Sequence, residues 1–281
     1  MDPRDNVIAI KGTSNLRDIG GYPTKSGRQI RRGRLLRSEV LLFEGSAARA
    51  SMWNADLMPD YQALGIRTII DLRGSLETAA QPSAWPQATG ATLIHLPLGE
   101  GAEGDATDVM KKLLAGEIRS FGVEDLAGFY ARNLHDQACT FGRILTELSR
   151  ADRLPALVHC QAGKDRTGLL MALVLEALET PRETVIADYA LTGLLRPNRV
   201  ALYMDILEPL AIDPEAVSAL FDAPPEALSL TLDRIDDEFG SVQDYLHEAA
   251  ELSFETLNAL RENLLDPVSR MSAKPGGDLD R

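Results

Sequence analysis

The chain is poor in cysteine: Cys139 and Cys160 are the only two in 281 residues. Two cysteines cannot make a disulfide framework. The chain also lacks an apolar run of membrane-spanning length. Its first residues, Met1-Asp2-Pro3-Arg4-Asp5, have neither the basic region nor the apolar stretch of a secretory signal. The expected location is cytoplasmic, with export without a cleaved signal left open. Positive charge is scarce. Against 42 Asp and Glu stand 29 Lys and Arg, a formal net charge of −13. That excess argues against a nucleic-acid partner, and its field repels anions, so any anion site has to work locally. Repeats and low-complexity tracts are missing. What is present is a 44% hydrophobic, 25% charged composition. It suits one large domain over residues 1–268, with a helical extension at about 196–265 and a disordered tail at 269–281.

One stretch carries chemistry: His159-Cys160-Gln161-Ala162-Gly163-Lys164-Asp165-Arg166-Thr167-Gly168. An apolar run, Leu157-Val158, leads in, and a helical apolar pattern, Leu169 to Leu178, leads out. That reads as strand, tight loop and helix. Such a loop aims backbone N–H groups and the positive end of a helix dipole at one spot, where a phosphate-sized anion fits. The same field favours a thiolate, the nucleophilic form of Cys160. Arg166 offers a planar, permanently charged fork for two phosphate oxygens. Gly163 permits backbone angles and close approach that a side chain would block. The Thr167 hydroxyl is placed to hydrogen-bond the Cys160 sulfur, and His159 to orient the loop from inside. A Walker A loop is excluded, because Gly163-Lys164-Asp165 lacks its Ser or Thr.

This stretch resembles the Cys-x5-Arg loop of the protein tyrosine phosphatases. Its fuller form is similar to that of a bacterial subgroup related to mycobacterial protein tyrosine phosphatase B and the Listeria lipid phosphatase. A second segment resembles the N-terminal motif of the same subgroup: Asn15-Leu16-Arg17-Asp18-Ile19-Gly20-Gly21, followed by Arg31-Arg32-Gly33-Arg34-Leu35-Leu36-Arg37-Ser38. The resemblance implies a phosphatase working through phospho-Cys160 without metal or cofactor, with Gln161, Ala162, Gly163, Lys164 and Thr167 around the phosphate. Phosphotyrosine proteins are the first expected substrates, phosphoserine, phosphothreonine and phosphoinositides the next, and inorganic phosphate the product. Lys164 matches a lysine of lipid-phosphatase loops and is placed to meet a second phosphate; the second such lysine is Gln161 here. Arg17, Asp18 and Arg37 are expected near the site, holding loops by ion pairs. Helices in the C-terminal third are expected to form a lid. The rival reading is a phosphate-recognition module using the same loop.

The general acid is ambiguous in the sequence. Trp85-Pro86-Gln87 lacks the acid of a Trp-Pro-Asp loop and reads as a Pro-rich connection. Asp125 and Asp136 fall inside a helical pattern. Asp165, in the loop itself, and Asp71, at a strand end in Asp71-Leu72-Arg73, are the better candidates; a salt bridge from Asp71 to Arg73 or Arg17 is the alternative. A helical stretch at Ser51–Leu64 precedes strands at Ile66–Ile70 and Thr92–Leu96, and a further strand at Ala156–His159 gives an α/β fold with a mostly parallel sheet flanked by helices. Ligands in such sheets bind at the carboxyl ends of strands. Gly99 to Gly122 reads as a flexible connection. Lys25, Arg28, Arg31, Arg32, Arg34 and Arg37 lie within thirteen residues, as a solvated hairpin or as a basic rim to the site. Thr180-Pro181-Arg182-Glu183 marks a helix start. Further helical patterns run Asn198–Leu210, Asp213–Phe221, Pro225–Phe239, Val242–Glu251 and Phe254–Leu265. Cys139 reads as a buried apolar residue.

Overall fold

The computed structural model describes residues 2–44, 51–99, 106–196 and 199–267. The expected tail, 269–281, lies outside the described residues, as do 100–105 of the Gly-rich connection.

Among the described residues, seven strands occur in chain order: β1 (Arg17–Asp18), β2 (Leu35–Ser38), β3 (Leu41–Leu42), β4 (Ser51–Met52), β5 (Thr68–Asp71), β6 (Thr92–His95) and β7 (Ala156–His159). Five of them form one sheet in the order β1-β2-β7-β5-β6, with β3 and β4 paired apart. In that sheet only β1 is antiparallel to its neighbour. The α/β fold with a mostly parallel sheet is thus as the strand pattern implied. Parallel neighbours put their carboxyl ends on one edge. Ser38 and Asp71 both register with His159, the residue before Cys160.

The strands alternate between two apolar layers, as a two-residue period requires. Leu35, Ile70, Ala156 and Val158 join the larger core, and Leu36, Ile69 and Leu157 the smaller. The smaller layer is closed by α1 (Met58–Ala63) and by α3 (Trp85–Thr89), separated in the chain by α2 (Ser75–Ala80). Trp85 is therefore a buried helical residue, whose indole N–H donates to Glu39 O, and not part of an open connection. The expected Ser51–Leu64 helix is cut to strand β4, a 3-10 turn and α1.

The larger layer is helical. It contains α5 (Val123–Asp136), α6 (Ala138–Leu148), α7 (Asp165–Ala177), α8 (Arg182–Leu195), α10 (Pro225–Phe239), α11 (Val242–Glu248) and α12 (Phe254–Leu264). Helix α7 follows the catalytic-type loop and is buried on every side from Thr167 to Ala177. Its sequence carries no polar face because it has no solvent to meet. Helix α8 starts at Arg182 with Pro181 as its N-cap, one residue later than the pattern suggested. Cys139 is exposed, not buried. Helix α6 buries Ala138, Phe141, Gly142, Ile144, Leu145 and Leu148, and Cys139 falls off that stripe.

A third apolar cluster lies beside the larger layer, with partly buried Leu220 packed against both. It joins Leu113 of α4 (Ala106–Leu114) to Leu207 of α9 (Met204–Leu207), Ile212, Val217 and Phe221. Part of the connection expected to be irregular is thus helix α4. The patterns after Asn198 become short pieces, a 3-10 turn at Val200–Tyr203, α9, and a 3-10 helix at Glu215–Leu220.

Gly142 shows how tightly α6 is seated: a Cβ there would lie 1.9 Å from Ala250 O. Gly142→Ala is expected to destabilise by about 1–3 kcal/mol through overpacking. Thermal melting should show the loss, against the gain that Gly→Ala usually gives within a helix.

Candidate active site

The loop between β7 and α7 is shaped from outside. Three successive carbonyls are bound by donors from the N-terminal segment. Val40 N donates to Gln161 O at 3.2 Å. Asn15 Nδ2 donates to Ala162 O at 3.2 Å and Gly163 O at 3.0 Å. Arg37 Nη2 donates to Gly163 O at 2.8 Å. In a trans peptide the N–H points opposite to the C=O. Holding these carbonyls outside therefore turns the N–H groups of Ala162, Gly163 and Lys164 inward, toward the anion position. Gly163 has φ +64°, and a Cβ on it would lie 2.3 Å from Ser38 O. Only glycine fits there.

The outer donors are held in turn by Asp188 of α8. Arg17 Nε meets Asp188 Oδ1 at 3.0 Å, and Arg37 Nη1 meets Oδ2 at 2.6 Å. All three side chains are essentially inaccessible to solvent. Burial works to raise the Asp188 pKa, but Arg17 and Arg37 outweigh it and leave the carboxyl below its ordinary value. Arg17 also donates to Asn15 Oδ1, so one chain of bonds runs from Asp188 through Arg17 and Asn15 to the loop. Arg17 is thus a scaffold for the loop and does not line the cavity. Asp18 is not an ion-pair partner of the site. It accepts the backbone N–H groups of Gly20 (2.8 Å) and Gly33 (2.6 Å), tying two turns together.

Cys160 is buried at the floor of a cavity of about 680 Å³. Gln161, Ala162, Lys164, Asp165 and Arg166 share that floor. Arg166 is fixed by a bidentate pair with Glu77 of α2, at 2.6 and 2.9 Å. That pair takes one N–H from each terminal nitrogen, and Nη1 also reaches Leu72 O at 3.5 Å, which leaves Nε–H and the second Nη2 N–H for a ligand. Glu77 reaches back to accept the Gly74 N–H at 2.9 Å, which fixes it in turn. His159 is buried. Its Nδ1 lies 3.0 Å from Cys160 O, so Nδ1 carries the proton, and Nε2 accepts from Ser83 Oγ at 3.1 Å. Thr167 Oγ1 is buried and makes no hydrogen bond; the expected contact with the Cys160 sulfur is not formed.

The two candidate acids separate clearly. Asp71 is 1% exposed and is clasped by Arg73 through three donors, Nε, Nη2 and the backbone N–H. Burial works to raise its pKa, yet His159 and Arg73 hold it below the ordinary carboxylate value. It lies outside the cavity lining, so it is a structural ion-pair partner and a poor proton donor. Asp165 lines the cavity, accepts the Tyr130 O–H at 2.6 Å and lies 3.4 Å from Lys164 Nζ. Asp125 caps the Gly122 N–H instead, at 2.9 Å.

Lys164 differs from its expected role. It is 3% exposed, and its ammonium donates to the carbonyls of Ala219 (3.2 Å), Leu220 (2.8 Å) and Asp222 (2.8 Å). An ammonium has three donors, and these contacts occupy them. Burial lowers its pKa. Lys164 therefore ties the loop to the end of the last 3-10 helix, Glu215–Leu220, and to Asp222 just after it, and is not free for a second phosphate.

The cavity walls come from α4 (Val109, Met110, Leu114), from α5, and from residues 199–221. The helical extension thus stands over the loop. Arg196 and Arg199 are also in the wall, both paired to buried Glu39, at 3.0 and 3.3 Å. The basic run 25–37 contributes no cavity residue. Arg28 bonds to the carbonyls of Leu265 and Asp266, Arg32 bonds to Asn6, and Arg37 faces Asp188.

Asn15, Glu39, Glu77, Tyr130 and Asp188 were not singled out by sequence reasoning. Two left signals. Asp188 is a lone charge in the apolar stretch Val185-Ile186-Ala187-Asp188-Tyr189, and Glu77 stands three residues after Gly74 at a helix start.

The residues from the N-terminal motif to the last helix match the Tyrosine phosphatase family over positions 8–266. The chain belongs to that family. Its relatives agree. Triple specificity protein phosphatase PtpB of Mycobacterium tuberculosis is 31% identical over 289 residues, covering 92% of this chain and 99% of the relative. A putative tyrosine-protein phosphatase of Cupriavidus necator is 28% identical, covering 87% and 84%. A tyrosine-protein phosphatase of Nostoc commune is 25% identical over 131 residues, covering 47% and 42%. This tyrosine phosphatase family member has no helix, among the described residues, long and apolar enough to cross a membrane.

Two outcomes are expected. Asp188→Asn leaves two buried guanidinium groups short of a counter-charge, which costs about 3–5 kcal/mol; denaturant unfolding measures it, and phosphate release should fall with it. Burial pushes the His159 pKa below its ordinary value. Below pH of about 6.5 the unfolded chain therefore binds a proton that the folded chain refuses. Stability is complete above that pH and falls beneath it. The melting temperature should drop from pH 7.5 to 5.5, and His159→Gln should shrink that drop.

Proposed function

We propose that this phosphatase hydrolyses phosphotyrosine in proteins through a phosphocysteine at Cys160. The observation that carries the reading is Cys160 at the floor of a cavity walled by Phe121, Leu126, Phe129, Leu220 and Phe221, beneath inward N–H groups and Arg166. An aryl ring suits such walls. In the first step the Cys160 thiolate attacks phosphorus, the P–O bond to the tyrosine breaks, and Asp165 gives the leaving oxygen a proton. In the second step water attacks phosphorus, its proton goes to Asp165, the S–P bond breaks, and the thiolate and inorganic phosphate are released. Arg166 and the loop N–H groups take the charge on the equatorial oxygens, where it is greatest in the transition state.

Phosphoserine, phosphothreonine and phosphoinositides are secondary substrates in this reading. The name of the mycobacterial relative, a triple specificity phosphatase, supports the wider scope; the three carbonyls on Lys164 do not. Residues 1–268 act as one phosphatase domain, an extent supported by the family match over 8–266. A reducing cytoplasm suits its free catalytic thiol.

The test is phosphate release from phosphotyrosine, phosphoserine and phosphothreonine peptides and from mono- and polyphosphorylated inositol lipids, with wild type and Cys160→Ser. Phosphotyrosine should be turned over fastest, with all release lost in the variant. Release that survives Cys160→Ser would overturn the thiolate mechanism. A polyphosphorylated lipid leading the panel would overturn the substrate ranking.

A further inference from the structure

Asp165 is bonded on one oxygen only. Tyr130 donates to Oδ1 at 2.6 Å, and the Lys164 ammonium lies 3.4 Å from that same oxygen. Oδ2 has no partner among the described residues, and the side chain is 19% exposed, at the cavity floor. One oxygen is anchored and the other is left for chemistry.

The anchor is itself held. Tyr130 is wholly buried on α5, and its oxygen lies 2.8 Å from the Tyr189 oxygen on α8. Tyr130 has one hydrogen, which the carboxylate takes, so Tyr189 donates to Tyr130. The rings meet edge to face, with centroids 6.0 Å apart and planes at 90°. Burial raises the pKa of both phenols, so both stay protonated as donors. Tyr189 follows Asp188 directly in α8. One turn of that helix thus supports the loop from outside through Asp188 and the proton-transfer group from inside through Tyr189.

We propose that Tyr130 is a positioning residue for Asp165: it fixes Oδ1 so that Oδ2 faces the leaving group and, later, the attacking water. Tyr189 fixes Tyr130 in the same way. The proposal rests on the reading of Asp165 as the proton-transfer group. Loss of an O–H from this relay leaves Cys160, Arg166 and the loop untouched, so its signature is in the leaving group and not in phosphate binding.

The experiment compares kcat/KM, which reports formation of the phosphocysteine, for p-nitrophenyl phosphate and phenyl phosphate. The first releases an acidic phenol that needs little protonation; the second does not. Wild type, Tyr130→Phe, Asp165→Asn and the double variant are measured, with melting temperature as a check on folding. Tyr130→Phe is expected to lose on the order of tenfold on phenyl phosphate, part of the roughly 10²–10⁴ that general acid catalysis supplies, and little on p-nitrophenyl phosphate. The double variant should be no worse than Asp165→Asn. Tyr189→Phe, measured as well, should shift the same ratio by a smaller amount, and it carries the test if Tyr130→Phe does not fold. Equal losses on both substrates, or losses that add to those of Asp165→Asn, would overturn the assignment of Tyr130. If Asp165→Asn discriminates between the substrates and the tyrosine variants do not, Tyr130 alone is overturned. If Asp165→Asn does not discriminate, the role of Asp165 falls and Tyr130 with it.

Discussion

The outward turn of the Gly163 carbonyl is the constraint on which the site depends. That one oxygen receives Asn15 and Arg37 together. An anion cradle needs N–H groups that converge, and convergence is unfavourable unless the opposite ends of the same peptides are satisfied. Here the satisfaction comes from the N-terminal segment, more than a hundred residues away in sequence. Strand β2 brings it there, because its carboxyl end lies beside that of β7.

The cations of the site were placed before any substrate. Arg17 and Arg37 share Asp188, Arg166 has Glu77, and Arg196 and Arg199 share Glu39. Each buried pair is a poor source of net stability, since desolvation offsets most of the attraction. What the pairs provide is position. A guanidinium already locked in its fork loses little freedom when phosphate arrives, which is where catalytic stabilisation of a transition state originates. In a protein of net charge −13, this local arrangement outweighs an unfavourable global field at short range.

Strands β5 to β7 were legible because they are short, largely apolar and bounded by turns; Ala156–His159 matches residue for residue, whereas β1, Arg17–Asp18, has no apolar residue to signal it. The loop was legible because its chemistry is contiguous. The long helix Pro225–Phe239 was legible for the same local reason. What sequence did not reveal is what depends on distant partners. Asp71 and Asp165 are equivalent as letters, and only Arg73 beside one and Tyr130 beside the other separate them. Lys164 looked like a free cation because the carbonyls that hold it lie 55 to 58 residues further on. Short 3-10 pieces in 200–220 blurred the helical period into longer apparent helices. Asn15 stood within a recognised motif, yet its role comes from a left-handed backbone, φ +59°, that the sequence does not announce.

The three apolar clusters divide the molecule into parts with unequal freedom to change. Helix α7 joins the reactive loop to the centre of the largest core and has no idle face, so alterations there are felt at once by fold and chemistry. The cluster of Leu113, Leu207, Ile212, Val217 and Phe221 lies beside the larger core, and the segments that carry it supply much of the cavity wall. The loop lysine meets this part through backbone carbonyls, so side chains there can change at constant volume with less consequence for the loop. Lys164 is the boundary stitch between these two regimes. The architecture thus joins a closely packed loop to a vestibule with more latitude, so a difference in the esters admitted is expected to trace to the vestibule.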